Sequence, residues 1–488
     1  MPLKTDTLRY AVRFNVLGKY FGQLCLVLSV FTVVPLLVSL FAGESRFTIR
    51  YFVMALVLAG TGAILSKLQA PSRIQTNEAM VLVASAFLAT PLLSTYPFMG
   101  SGLTFEEALF EAISGGTTTG LTTLASLERQ SSTFLFSRAW IQWYGGLGII
   151  VLSLAIIIPP GSAARQLAAT GNVEDDLLGG IRTHASRVFV LYLAITLLGI
   201  AGLWVVGMPA FSALLYSLAA VSTGGFAPAD DSLASLKGWP ARSIVIALSV
   251  CGALPLMLAH GALSRTRTSP ISRVQLYALG ASGAMVWIIL FLVLTGSHQP
   301  RDAYAYLETL LLAYSAQTTA GFSPMNVEEL ADAAKLVLIL SMALGGCTGS
   351  TAGGIKLLRA LIVVRFFHVL VRQACLPRQA VSEVRLGGRR IEPSEIREAL
   401  TMVVLFVGVI GLSWFPFVAM GYDPIDSLFE VTSATGTVGL STGITDSELP
   451  GALKGVLCAD MLLGRLEIVA WLVFLYPGTW LGRRLEES

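Results

Sequence analysis

The stretch Gly436-Thr437-Val438-Gly439-Leu440, GTVGL, lies between two long apolar runs, an unusual place for a glycine-rich loop. Its core, Thr-x-Gly followed by Leu or Phe, occurs three more times, as Thr118-Thr119-Gly120-Leu121, Thr223-Gly224-Gly225-Phe226 and Thr319-Ala320-Gly321-Phe322, and nowhere else. The four glycines recur after 105, 96 and 118 residues (120 to 225, 225 to 321, 321 to 439). Each copy follows a short helical stretch, at residues 104–116, 209–221, 302–317 and 423–435. These begin on the helix-start residues Thr104, Pro209, Asp302 and Asp423-Pro424. At about three turns each they cannot cross a bilayer core of about 30 Å, so they are expected as re-entrant half-helices.

Working outward, apolar runs long enough to span fall near 20–41, 49–66, 79–98, 137–159, 186–208, 241–263, 274–296, 334–371, 398–420 and 454–481. The repeating unit is therefore span, half-helix, loop, span, four times over, with two leading spans outside it. The expected divisions are 1–74, 75–160, 161–265, 266–375 and 376–488. Composition agrees, since 54% of the 488 residues are hydrophobic and 13% charged, with a mean hydropathy of +0.72, outside the soluble range. A net charge of +3, scattered along the chain, argues against nucleic acid as a partner. The five cysteines have no paired spacing, so neither a disulfide framework nor a zinc site is indicated. No nucleophile and base stand at a recognisable catalytic spacing, so no enzyme is expected. The glycine-rich stretches lack a strand-turn-helix context, so no nucleotide site is expected on this chain.

Non-helical backbone at membrane depth survives only where it is buried in protein or lines a wet cavity. Four such loops are expected to share one cavity, where carbonyl oxygens replace the hydration shell of a cation and threonine adds a hydroxyl. The variable positions Thr119, Gly224, Ala320 and Val438 are neutral, and no carboxylate lies within the motifs, so a monovalent ion is favoured over a divalent one. Thr-x-Gly also marks helix ends and tight turns, an alternative that four copies in equivalent settings make less economical. Glu106, Glu107, Glu111, Glu308 and Glu430 on the half-helices would attract cations or cap neighbouring backbone. The fold class expected is an all-α membrane protein: four pseudo-fourfold membrane-pore-membrane repeats around a central ion pore, plus two extra N-terminal transmembrane helices.

Lys4, Arg9, Arg13 and Lys19, and the nine basic residues from Lys356 to Arg397, put both regions on the cytoplasmic side by the positive-inside rule. Both termini are then cytoplasmic. The four loops open outward, followed by the acidic residues Asp230, Asp231, Glu328, Glu329, Asp332, Asp446 and Glu448.

At this point the chain resembles the Trk/Ktr/HKT superfamily of potassium transporters, in particular its TrkH-type bacterial members. The four motif copies carry the resemblance, together with WYGGLGIIVL (143–152), GGCTGSTAGGIK (345–356) and DMLLGRLEI (460–468). It implies potassium as the transported ion and a selectivity filter made of Thr118, Thr119, Gly120, Thr223, Gly224, Gly225, Thr319, Ala320, Gly321, Thr437, Val438 and Gly439. Members that favour sodium typically carry serine at the first filter glycine, whereas Gly120 stands here. One departure is Gly436, which occupies a position usually held by Thr or Ser. The resemblance further implies a homodimer in the lipid of a bacterial inner membrane, working with a cytosolic TrkA-like nucleotide-binding regulatory subunit.

Gly345, Gly346, Gly349, Gly353 and Gly354 interrupt the 334–371 run. They are expected to form an intramembrane gating loop, with a kink or a small-residue packing surface as the plainer alternative. Arg465 falls near mid-membrane, where a charge needs a cavity or a partner. Asp460 and Glu467 are candidate partners, and the resemblance implies that Arg465 projects into the pore below the filter.

Overall fold

The leading pair of helices is α1 (Phe14–Phe41) and α2 (Ser45–Leu65), joined by a turn at Gly43 with a φ of 71°. They pack closely through small residues, since a Cβ at Gly62 would sit 2.9 Å from the Gly22 carbonyl oxygen. Pro35 inside α1 cannot donate to the Phe31 carbonyl, and the Trp140 indole N–H does so instead at 3.0 Å. The computed structural model describes residues 11–70, 74–157, 177–255, 270–296, 303–377 and 382–481. Asp302, Lys4, Arg9 and Arg378, used in the sequence reading, lie outside the described residues.

Four cycles of long helix, short helix, loop and helix follow. The first is α3 (Thr76–Phe98), α4 (Phe105–Gly116) and α5 (Ser132–Ile157). Next come α6 (Leu177–Val205), α7 (Ala210–Val221) and α8 (Trp239–Ala253). The third has α9 (Pro270–Gly296), α10 (Ala303–Gln317) and an interrupted pair, α11 (Asp332–Leu344) and α12 (Leu357–Ala374). The fourth has α13 (Pro393–Ala419), α14 (Pro424–Thr435), α15 (Gly451–Arg465), α16 (Ile468–Leu475) and α17 (Pro477–Trp480). The short helices start as their sequences dictate: Thr104 Oγ1 accepts the Glu107 amide at 3.3 Å, and Asp423 accepts the amides of Ile425 and Asp426.

Six of the described helices are long and apolar enough to cross a membrane. The other four expected spans correspond to α5, α8, the α11–α12 pair and the run from α15 to α17. Two expectations need correction. The run 454–481 is not one helix, because Leu466 takes an extended conformation (ψ 157°) and ends α15, and Pro477 starts α17 after Tyr476. The expected span 241–263 is interrupted after Ala253, because Pro255 drives Leu254 out of the helical region (ψ 152°), and its residues 256–263 lie outside the described residues. Exposed Val30, Leu198, Leu412 and Phe415 form the kind of apolar outer surface that suits lipid.

Basic residues in the first turns of two closing helices tie the second cycle to the third and the third to the fourth. Arg242 of α8 pairs with Glu308 of α10 at 2.7 Å, and Lys335 of α11 pairs with Asp426 of α14 at 2.6 Å. The start of α15 abuts α4, where a Cβ at Gly451 would lie 2.7 Å from Glu106 Oε1. The segment before α1 is held at two points: Arg13 pairs with buried Glu78 at 2.7 Å, and the Val12 amide donates to the Thr479 carbonyl at 3.0 Å. Between α12 and α13 a small hairpin, β1 (Arg385–Leu386) and β2 (Arg389–Arg390), turns through Gly387-Gly388, both at positive φ, as a two-residue turn requires.

Candidate functional site

All four short helices end in the same way. The amide of Thr118 donates to the Gly115 carbonyl at 3.0 Å, and that of Thr119 to the Ser114 carbonyl at 2.9 Å. The same two bonds recur from Thr223 and Gly224, from Thr319 and Ala320, and from Thr437 and Val438. This is a Schellman closure, which normally places glycine at the left-handed position. Here threonine occupies it each time, with φ of 54°, 50°, 53° and 49°. A left-handed β-branched residue costs about 1–2 kcal/mol, so four such residues are held by their surroundings.

Two residues on, Gly120, Gly225, Gly321 and Gly439 also have positive φ, of 94°, 78°, 72° and 92°. Each leaves no room for a side chain, and what fills the space is revealing. A Cβ at Gly120 would overlap the carbonyl oxygen of Gly224, one at Gly225 that of Ala320, one at Gly321 that of Val438, and one at Gly439 that of Thr119. The series returns to its start, so the four loops form a closed ring in which each glycine rests on the variable residue of the next loop. All four threonine side chains are fully buried. The hydroxyls of Thr118 and Thr437 have no hydrogen-bond partner among the described residues. Clustered carbonyl and hydroxyl oxygens with no carboxylate among them are a donor set for a weakly held monovalent cation.

The backbone leaving the ring is buttressed from the half-helices. Glu111 accepts from the Thr122 hydroxyl (2.5 Å) and the Thr123 amide (3.2 Å), and pairs with buried Arg138 at 2.8 Å. Glu430 accepts from Ser441 Oγ (2.5 Å), the Thr442 amide (2.7 Å) and Thr445 Oγ1 (2.6 Å). Of the two roles open to these carboxylates, capping backbone is the one with partners in place. Asp230 likewise holds Ser126 and the Leu127 amide of the first loop.

Residues 345–356 form an irregular loop packed against this ring. The Gly353 amide donates to Thr319 Oγ1 at 2.8 Å, and Thr223 Oγ1 donates to Thr351 Oγ1 at 3.2 Å. A Cβ at Gly353 would overlap both the Gly436 carbonyl and Thr437 Oγ1. The loop's own closure needs Gly345 and Gly354, which face each other at positive φ, whereas Gly349 has open space around it and needs only its φ of 77°. At Gly346 a Cβ would overlap the Ala352 methyl group.

Arg465 ends α15, 5% exposed, with Nη1 donating to the Thr351 carbonyl at 2.6 Å and Nη2 reaching the Gly145 carbonyl at 3.5 Å. Neither carboxylate considered as its partner contacts it. Asp460 instead accepts from Ser413 at 2.6 Å, and Glu467 pairs with Arg359. Among the described residues Arg465 makes no ion pair, so a guanidinium charge is pinned to the loop by carbonyl dipoles alone. The sequence reading passed over Gln142, which contacts the second loop from α5; a lone amide inside an apolar span was the available signal.

The comparisons with known proteins agree with this architecture. The chain is 28% identical over 488 residues to the Trk system potassium uptake protein TrkH of Salmonella typhimurium, covering 96% of this chain and 100% of that one. It is also 28% identical over 456 residues to an uncharacterized cation transporter of Methanocaldococcus jannaschii, covering 93% of each. The crystal structure of the potassium transporter TrkH from Vibrio parahaemolyticus matches the fold with a TM-score of 0.84 at 24% identity, over 96% of this chain and 100% of that one. The TrkH profile, described as cation transport protein, matches residues 44–477. This multi-pass helical membrane protein is a transporter and not an enzyme, and it belongs to the TrkH family of cation transport proteins.

Proposed function

We propose that the chain carries potassium into the cell through a selectivity filter formed by the four Thr-x-Gly loops, four membrane-pore-membrane repeats being arranged around one axis. The closed ring of glycine-to-carbonyl contacts carries this reading, because it sets four neutral oxygen-bearing loops around a common centre. Carbonyl oxygens at such a centre replace ion hydration, and the half-helix C-termini aimed there add about half a negative charge each. The names of the relatives, as potassium uptake proteins, support potassium as the ion. Gly120 at the first filter position supports it too.

Loop 345–356 and Arg465 act as the gate. The loop lies against filter residues of the second, third and fourth repeats, and Arg465 fastens it to α15. The protein works as a homodimer in a bacterial inner membrane with cytoplasmic termini, and a separate nucleotide-binding subunit regulates it. Rubidium uptake into proteoliposomes, with potassium or sodium as competitor, tests the reading. Uptake blocked by potassium at far lower concentration than by sodium is expected. No uptake by folded protein, or equal competition by the two ions, refutes it.

A further inference from the structure

We propose that Gln142 sets the ion preference of the pore as a positioning residue acting through the Gly224 carbonyl, an inference that rests on reading the four loops as a filter. Gln142 lies on α5, one turn beyond Arg138, and is fully buried. Its amide grips the second loop on both sides of Gly225. Nε2 donates to the Gly224 carbonyl oxygen, and Oε1 accepts the Phe226 amide at 3.2 Å. The two bonds fix the amide's orientation, because the flipped form would set acceptor against acceptor and donor against donor.

This clamp explains why the variable position is glycine in this loop alone. A Cβ at Gly224 would run into the Gln142 amide, lying 2.9 Å from Nε2 and closer still to the amide carbon. Thr119, Ala320 and Val438 occupy the equivalent positions. On two other closing helices, the residues three before Gly252 and Gly464, which pack on the ends of their short helices as Gly145 does, are Ser249, whose hydroxyl donates to the Val245 carbonyl, and Met461, which has no donor, so neither repeats the grip.

Two consecutive glycines make this the most pliable of the four loops. A carbonyl oxygen has two lone pairs, and engaging one fixes the direction of the other. The clamp therefore holds the Gly224 oxygen at a set radius and keeps the ring from closing around a smaller ion such as sodium. Without it the Gly-Gly segment is free to follow the ion.

The test is rubidium uptake into proteoliposomes by the full chain, competed with potassium or with sodium, for wild type, Gln142→Leu and Gln142→Met. Methionine matches glutamine in length without the amide. In whichever variants fold, the advantage of potassium over sodium as competitor is expected to fall about three- to tenfold, the worth of one buried hydrogen bond, while rubidium uptake persists. Wild-type discrimination in a folded variant overturns the proposal, since it leaves Gln142 a packing role only. Failure of both variants to elute as folded protein makes it a stability residue and overturns the proposal equally. Absence of rubidium uptake by wild type is a different result, and it would overturn the filter reading itself.

Discussion

Replacing Arg465 with alanine is expected to raise ion flux, and two contributions act in the same direction. The guanidinium is buried at the end of α15 with no carboxylate beside it among the described residues. A potassium ion passing about 6 Å away, at an effective dielectric of about 20, meets a barrier of about 2.8 kcal/mol. That corresponds to about a hundredfold in rate. The substitution also removes the 2.6 Å bond to the Thr351 carbonyl, a charge-assisted contact worth about 1.5–3 kcal/mol, which frees the loop beside the four-loop ring. Rubidium uptake into proteoliposomes at matched protein density measures the sum. Arg465→Lys separates the parts, because it keeps the charge and loses the fork that reaches both Thr351 and Gly145, so its flux should fall between wild type and alanine. Unchanged or reduced flux in a folded alanine variant would refute the argument. Equal flux in the two variants would assign the whole effect to the loop anchor.

Three further substitutions or conditions test neighbouring parts. Gly353→Ala places a methyl group into the Gly436 carbonyl and Thr437 hydroxyl, so the loop must withdraw; higher basal rubidium uptake and a loss of about 1–3 kcal/mol in stability are expected, read from flux and thermal melting. Glu430→Ala leaves the Ser441, Thr442 and Thr445 donors buried without their acceptor, which should cost about 3 kcal/mol, and an unchanged melting temperature would contradict the buttressing role. Beside the β1–β2 hairpin, the hydrogen bond from Arg385 and the charge of Arg390 hold the Glu383 carboxyl below its ordinary range. A depressed folded-state value means that its contribution is present above the usual carboxylate pKa and is lost as pH falls through the lowered one. Amide protection in the hairpin, corrected for intrinsic exchange, should therefore fall only at acid pH, and protection lost already near neutral pH would contradict this.

Much of the architecture was legible in the sequence because it depends on length and backbone chemistry. The short helices begin within one residue of their predicted starts, since Thr104, Pro209 and Asp423 are helix-start residues whose chemistry is local. The glycine break at 345–356 was legible for the same reason. What was not legible depends on contacts far apart in the chain. The partners of Arg465 come from Thr351 and Gly145, 114 and 320 residues away, and its neighbours in sequence, Asp460 and Glu467, proved misleading because both face other helices. Likewise, the break after Arg465 has neither Gly nor Pro at Leu466 or Glu467, and Gly464 just before it lies within α15 against the Thr435 carbonyl, so the local sequence did not show where α15 gives way to α16.

The four repeats keep one backbone solution while the side chains that secure it differ, and the residue nine before each ring glycine makes the point. Glu111 and Glu430 hold the outgoing strand through hydroxyls and amides, Tyr216 does so by donating to the Ser232 carbonyl at 3.1 Å, and Leu312 by burial in an apolar cluster that includes Val438 and Leu440 of the fourth loop. Left-handed threonine and glycine recur without exception, because the oxygens that line the ring belong to the main chain and their direction is set by φ. Side chains behind the ring are then free to differ so long as the backbone is held. In the proposed reading this makes selectivity a property of how firmly each quadrant is braced, and the quadrant with the loosest backbone, Gly224-Gly225, is the one to which the amide of Gln142 is applied.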